Sequence, residues 1–85
     1  MQVIFSGRSK KSLVKIPAAY VSKILSVIDD LQSWPALSKN TDIVKLRGED
    51  SAFRIRFGSY RIIFSCKNDT IEVLDILHRK DAYKK

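Results

Sequence analysis

A two-residue break between two alternating runs is the feature that most constrains this chain. Residues 53–64 read FRIRFGSYRIIF, with mostly alternating apolar and charged side chains on either side of Gly58-Ser59. Alternation with a period of two is typical of β-strands, and a two-residue link with glycine first is typical of a type II′ turn. We therefore predict a β-hairpin with the pairs Phe57 with Tyr60, Arg56 with Arg61, Ile55 with Ile62, and Phe53 with Phe64.

The two faces of this hairpin differ in chemistry. Large apolar side chains occupy the face toward the core, and Arg54, Arg56 and Arg61 share the other. Like charges directly opposite each other destabilise a sheet by up to ~1 kcal/mol, so stability alone does not favour Arg56 facing Arg61. An anion bound between the two arginines would favour this arrangement, because the guanidinium fork suits phosphate. An acidic protein surface and plain solvation are the alternatives. Because Arg61→Ala would remove this repulsion, it should hold or slightly raise the melting temperature.

The N-terminal half contains signals for a strand and two helices. QVIF at residues 2–5 fits an opening strand, and Ser6 fits the N-cap of a short helix through GRSKKSLVK that stops near Pro17. A second helix is predicted from Pro17 to about Trp34. Its buried stripe follows the helical period and comprises Val21, Ile24, Leu25, Ile28 and Leu31.

The C-terminal half reads as strands. PALSKNTD is interpreted as a connecting loop, IVKLRG as a strand closed by Gly48, and Glu49-Asp50-Ser51 as a turn. Asn68-Asp69 predicts a second hairpin turn before TIEVLDIL, with Ile63 opposite Leu74 and Arg61 opposite Ile76. The expected fold class is α+β: an N-terminal strand, a two-helix hairpin, then an antiparallel sheet with the helices packed on one face.

Length and composition narrow the possible functions. The 85 residues suit a single domain, 1–85, that buries only ~60% of its unfolded surface. The net charge of +7 favours polyanionic partners, nucleic acid before an acidic protein.

One cysteine and one histidine do not make a zinc cluster, so we expect no metal and no cofactor, with Cys66 a small core residue. Without an apolar run long enough for a membrane span or a secretion signal, a cytoplasmic protein is expected.

The last strand ends in LDILHRKDAY, which brings further functional side chains into consideration. The predicted pairing ends this strand close to the arginine face, so His78, Arg79 and Tyr83 are expected to reach the same groove. Taken singly, a histidine at a strand end is often a surface residue, and a C-terminal tyrosine is often a packing lid.

Together, VKLRG, FRIRFGSYRIIF and LDILHRKDAY resemble the RelE/ParE superfamily of bacterial toxin-antitoxin toxins, and its RelE branch in particular. The resemblance extends over essentially the whole chain. It implies a RelE-like toxin of a type II system: a ribosome-dependent endoribonuclease (mRNA interferase) that cleaves mRNA in the A site and inhibits translation. An acidic cognate antitoxin would hold it inactive.

The resemblance also implies roles for individual residues. Arg54, Arg56 and Arg61 would bind and stabilise the scissile phosphate, Arg79 would assist the leaving group, and Tyr83 would stack on or orient a base. Lysines stand at positions 54 and 56 in the best-known members, and arginine is a poor general base because it stays protonated. His78 is a secondary acid-base candidate because its unperturbed pKa lies near neutrality.

Two other functions fit the same sequence. The ParE branch shares the fold and inhibits DNA gyrase without cutting RNA; its members generally lack the full basic and tyrosine set seen here. A RelE-fold binding protein without catalytic activity is the other alternative, and the change from lysine to arginine at positions 54 and 56 favours it.

Overall fold

The chain folds as a strand, two helices and four further strands. The computed structural model describes residues 2–33, 42–46 and 52–82. The elements are β1 (Gln2–Phe5), α1 (Gly7–Lys15), α2 (Ala18–Asp30), a 3-10 turn (Leu31–Ser33), β2 (Asp42–Lys45), β3 (Ala52–Phe57), β4 (Tyr60–Lys67), β5 (Thr70–His78) and a one-turn helix α3 (Arg79–Ala82). The described residues leave out Trp34, residues 35–41 of the predicted loop, Gly48, the turn at 49–51 and Tyr83. Asp42, predicted as the last loop residue, is the first residue of β2. None of the helices within these ranges is long and apolar enough to cross a membrane.

The five strands form one sheet in the order β1-β5-β4-β3-β2. The pairs among β2 to β5 are antiparallel, as predicted, and β1 lies parallel to β5 at one edge. Both helices contribute apolar side chains to the core on one face of the sheet. The predicted α+β fold class is confirmed.

Ser6 begins α1 and also links it to the sheet. Its hydroxyl accepts a hydrogen bond from the backbone N–H of Ser9 at 3.0 Å, as an N-cap does, and donates to the carbonyl oxygen of Leu74 at 2.7 Å. The helix ends before Pro17, with Ile16 in extended backbone conformation. The predicted start and end of this helix are therefore confirmed.

Helix α2 covers the sheet with the predicted stripe, apart from Leu25. Ile24, Ile28 and Leu31 are almost fully buried, whereas Leu25 is 40% exposed. Leu25 lies at the margin of the stripe, beside an open groove that Val3 and Phe5 also line. Its predicted burial was wrong, because the side chain faces this groove instead of the core.

The β3–β4 hairpin has the predicted register. Phe57 lies opposite Tyr60 and Arg56 opposite Arg61, and the match continues to Ala52 with Ser65. Gly58 has a φ of +57°, which suits the first turn position of a type II′ hairpin. The second turn differs, because Asn68 and Asp69 both have positive φ, as in a type I′ turn.

The predicted register of β4 with β5 was wrong for residues 60–63 of β4. Ile63 lies opposite Asp75 and Arg61 opposite Leu77, because a β-bulge interrupts the ladder between Ile63 and Phe64. Leu74 is the extra residue of the bulge. A shift by one residue exchanges the two faces of a strand, so Ile76 and His78 point toward the helices instead of the arginines.

Candidate functional site

Arginines from two strands and a helix meet on the face of the sheet opposite α2. Arg54 of β3 and Arg61 of β4 line a cavity of about 360 Å³ together with Arg8 of α1. The other lining residues are Leu46, Ile63, Leu74, Asp75 and Leu77. We call this cavity the arginine groove. Its three arginines outnumber its one carboxylate, that of Asp75, so the groove is positively charged and suits a bound phosphate.

Arg61 lies at the bottom of the arginine groove and is tied into the hairpin turn. The side chain is only 5% exposed, and its Nη1 donates to the carbonyl oxygens of Gly58 at 3.2 Å and Tyr60 at 3.0 Å. The sequence placed Arg61 on this face of the hairpin but did not indicate that its side chain is buried. The buried guanidinium therefore has a structural role beside any role toward an anion.

Arg54 and Arg56 are two residues apart in β3 and therefore lie on the same face of the sheet. Arg54 is half-buried and lines the arginine groove, whereas Arg56 is exposed and lies directly opposite Arg61 in the ladder. The predicted juxtaposition of Arg56 and Arg61 is therefore confirmed at the level of backbone register. Arg54 is the better placed of the two to contact a group inside the groove.

Arg8 is a candidate that sequence reasoning missed, because its segment was interpreted only as a helix. Helix α1 lies beside β5, and the Ser12 hydroxyl donates to Oδ1 of Asp75 at 2.9 Å. The same oxygen accepts the backbone N–H of Ile76 at 2.8 Å. These bonds attach α1 to the strand next to Arg61, which positions Arg8 in the groove. A prediction that β1 pairs with β5 would have indicated this placement.

His78 does not join the arginine groove, contrary to the sequence-based expectation. It lies opposite Tyr60 on the helix side, where the two rings meet edge to face at 5.4 Å between centroids. Its Nδ1 accepts a hydrogen bond from the backbone N–H of Lys80 at 3.2 Å, so the neutral ring carries its proton on Nε2. The bulge at Leu74 accounts for the change of face.

Arg79 begins α3 next to the hairpin turn. Its backbone N–H donates to the carbonyl oxygen of Ser59 at 2.6 Å, and the residue is exposed. Arg79 is therefore close in the fold to the turn that holds Arg61. Tyr83, the last of the predicted site residues, lies outside the described part of the chain.

A second cavity lies on the helix side of the same turn. It measures about 320 Å³ and is lined by Tyr20, Lys23, Phe57, Gly58, Ser59, Tyr60 and His78. We call it the aromatic pocket. Tyr20 of α2 lies over Tyr60 with a centroid separation of 5.8 Å and a tilt of 49° between the rings. Sequence reasoning did not predict this pocket, because no pattern in the sequence pairs Tyr20 with Tyr60.

Comparison with known proteins places this chain in one class of proteins. A family model described as the ParE toxin of type II toxin-antitoxin systems matches residues 3–83. Toxin RelE3 of Methanocaldococcus jannaschii is 34% identical over 84 residues, which cover 98% of this chain and 96% of the relative. Those matches define a toxin of the RelE/ParE superfamily, as the resemblance implied.

Solved structures agree with this class. A chain of the RelB-RelE antitoxin-toxin complex from Methanococcus jannaschii superposes with a TM-score of 0.81 at 32% identity, covering 95% of both chains. A chain of the archaeal RelE-RelB complex from Pyrococcus horikoshii OT3 gives 0.79 at 28% identity, covering 92% of this chain and 93% of that one. The present chain belongs to the ParE toxin family of type II toxin-antitoxin systems.

Proposed function

We propose that this toxin is a ribosome-dependent endoribonuclease that cleaves mRNA in the A site. The observation that supports this most is the meeting of Arg8, Arg54 and Arg61 in one groove. Three cations face one carboxylate, that of Asp75, across this cavity, so the groove carries a net positive charge that would attract a phosphate of RNA. The RelE names of these archaeal relatives support the same activity.

The proposed reaction breaks one phosphodiester bond without a change of oxidation state. The 2′-oxygen attacks the adjacent phosphorus and gives its proton to water, while the bond from phosphorus to the 5′-oxygen breaks and that oxygen takes up a proton from water. Negative charge grows on the phosphate oxygens during attack. In this proposal Arg54, Arg56 and Arg61 stabilise that charge, Arg79 stabilises the leaving oxygen, and Tyr83 orients a base.

The proposal assigns charge stabilisation to the guanidinium groups and no step to a metal ion. Arginine does not take up a proton, and His78 points away from the groove, so we assign it no acid-base step there. Rate acceleration then comes from charge stabilisation and from holding the 2′-hydroxyl in line with the phosphate. Positioning of this kind can supply about 7–11 kcal/mol in favourable cases. Dependence on the ribosome fits this proposal, since the ribosome would hold the mRNA strand in position while the arginines stabilise charge.

An acidic antitoxin is the proposed partner. The structural neighbours from both archaeal species were solved as complexes of RelE with RelB. The present chain carries a net charge of +7, so an acidic segment would be attracted to it and would compete with RNA for the arginine groove.

A reconstituted translation reaction tests the activity. Ribosomes stalled with a defined codon in the A site are mixed with purified toxin, and primer extension maps any new 5′ end. We expect a cut within the A-site codon, and much slower cleavage of the same mRNA without ribosomes. Arg54→Ala should abolish most of the cut, whereas Lys67→Gln, an exposed charge at the far end of β4, should not.

Inhibition of DNA gyrase is the second candidate, because the matching family model is described as a ParE toxin. A supercoiling assay with purified gyrase, run beside the cleavage assay, separates the two activities. Loss of supercoiling without any mRNA cut would assign the ParE activity. Neither effect at high toxin concentration would support the catalytically inactive binding protein.

A further inference from the structure

The aromatic pocket combines one exposed ring and partly buried rings with a positive charge. Tyr20 is 48% exposed although its ring already lies over Tyr60, and His78 meets the other side of Tyr60 edge to face. Lys23 lies one turn further along α2 and lines the same cavity. At about 320 Å³ the pocket falls within the size range of small-molecule sites, roughly 300–1,000 Å³.

Tyr20 is open to a ligand as well as packed. About half of the side chain remains exposed to solvent beside the cavity, while its ring contacts Tyr60. Aromatic faces next to a lysine are the components with which proteins hold single-stranded nucleic acid, because bases stack on rings and phosphates pair with cations.

We propose that the aromatic pocket binds one nucleotide of single-stranded RNA, with its base against Tyr20 and a phosphate near Lys23. The inference rests on the proposed action on RNA and adds a second contact point to it. The chain's net charge of +7 favours a polyanion over an apolar peptide as the occupant.

The hairpin turn connects this pocket to the arginine groove. Gly58 and Ser59 line the aromatic pocket, while the carbonyl oxygen of Gly58 accepts the hydrogen bond from Arg61 on the groove side. A strand of RNA that crosses the turn therefore contacts both cavities. The pocket would hold a nucleotide that flanks the cleaved phosphate and so would influence which sequences are cut.

Binding of an RNA that cannot be cleaved tests the pocket without the ribosome. The probe is a fluorescently labelled single-stranded hexanucleotide with a 2′-O-methyl group on every ribose, and affinity is measured by fluorescence anisotropy. Stacking of one base is worth about 5- to 150-fold in affinity. Tyr20→Ala should lower affinity within that range, and Tyr20→Phe, which keeps the ring, should retain most of it.

Two lysine variants with the same change in charge complete the test. Lys23→Gln should weaken binding more than Lys67→Gln, which is exposed at the opposite end of β4 from the turn. Ring resonances of Tyr20 and Tyr60 should shift in NMR spectra when the hexanucleotide is added. Because Tyr20 is half exposed, its variants should stay folded, which a thermal melt checks.

The contrary outcomes are distinct from failure of the proposed function. RNA affinity unchanged in Tyr20→Ala, with no shift of the ring resonances, would overturn the nucleotide site even if the toxin cleaves mRNA. Unchanged RNA affinity combined with weaker binding of a purified acidic antitoxin would overturn it in favour of a protein contact. Ring-dependent RNA binding by a toxin that cuts nothing on ribosomes would leave the pocket standing and refute the nuclease.

Discussion

Arg61 donates a hydrogen bond to the carbonyl oxygen of Gly58, so the arginine at the bottom of the groove also fastens the turn that positions it. The register of the hairpin alone suggested that removing Arg61 would relieve repulsion from Arg56. The buried, hydrogen-bonded guanidinium reverses that expectation. Hydrogen bonds from a charged donor contribute about 1.5–3 kcal/mol, more than the ~1 kcal/mol of repulsion between paired like charges.

Arg61→Ala should therefore lower the free energy of unfolding by about 0.5–2 kcal/mol. Arg56→Ala removes the same repulsion from an exposed position and should change stability by no more than about 1 kcal/mol. Chemical denaturation of both variants measures the difference. Equal stability of the two would mean that the bonds from Arg61 to the turn contribute nothing net.

Gly58→Ala should destabilise the protein through backbone conformation alone. A Cβ at this position meets no atom within 4 Å, but the φ of +57° is unfavourable for alanine, at a cost of roughly 1 kcal/mol. Gly7→Ala is the matched control, because it also has open space and begins a helix, where alanine is favoured. Thermal melts should move in opposite directions; a loss in both variants would point to crowding instead.

Ser6→Ala should cost about 2 kcal/mol, because one hydroxyl serves both the N-cap of α1 and the carbonyl oxygen of Leu74 in the bulge. Ser6→Thr keeps the hydroxyl and should stay close to wild type. Ser26→Ala, on the exposed surface of α2, reports the effect of the substitution without those bonds. Equal stability of Ser6→Ala and Ser26→Ala would show that the double contact is unimportant.

Association with the acidic antitoxin should weaken as salt rises, since opposite charges steer the two chains together and salt screens them. Titration calorimetry at several salt concentrations gives the slope. Arg54→Ala should reduce the slope if the antitoxin covers the arginine groove. An affinity independent of salt would instead indicate an interface built on apolar surface.

The hairpin could be predicted from sequence because the turn residues set its register. Gly58-Ser59 leaves only one way to pair alternating strands, and the predicted arginine face followed from it. The bulge was missed because Val73 and Leu74 are both apolar, which hides the break in the alternation. Strict alternation from Ile71 and Val73 would have placed the Asp75 carboxylate in the apolar core. Because burying a charge costs free energy, Asp75 was the signal for an extra residue in β5. The wrong position of His78 follows from the same omission.

Arg8 and the aromatic pocket could not be predicted by the same means. Arg8 reaches the groove only because α1 lies beside β5, a contact between segments more than sixty residues apart. Tyr20 meets Tyr60 through packing of α2 on the sheet. Periodicity shows which face of an element is buried, but it does not show which partner element lies against that face.

The central claim is tested most directly by the rate at which folded Arg61→Ala cleaves mRNA on ribosomes that hold a defined codon in the A site. The rate is measured below the melting transition of the variant, with circular dichroism on the same sample to show that it is folded. Removing one charge-stabilising donor should lower the rate about 100- to 1,000-fold relative to wild type. A folded Arg61→Ala protein that cleaves the A-site codon at the wild-type rate would contradict the assignment of the arginine groove as the catalytic site.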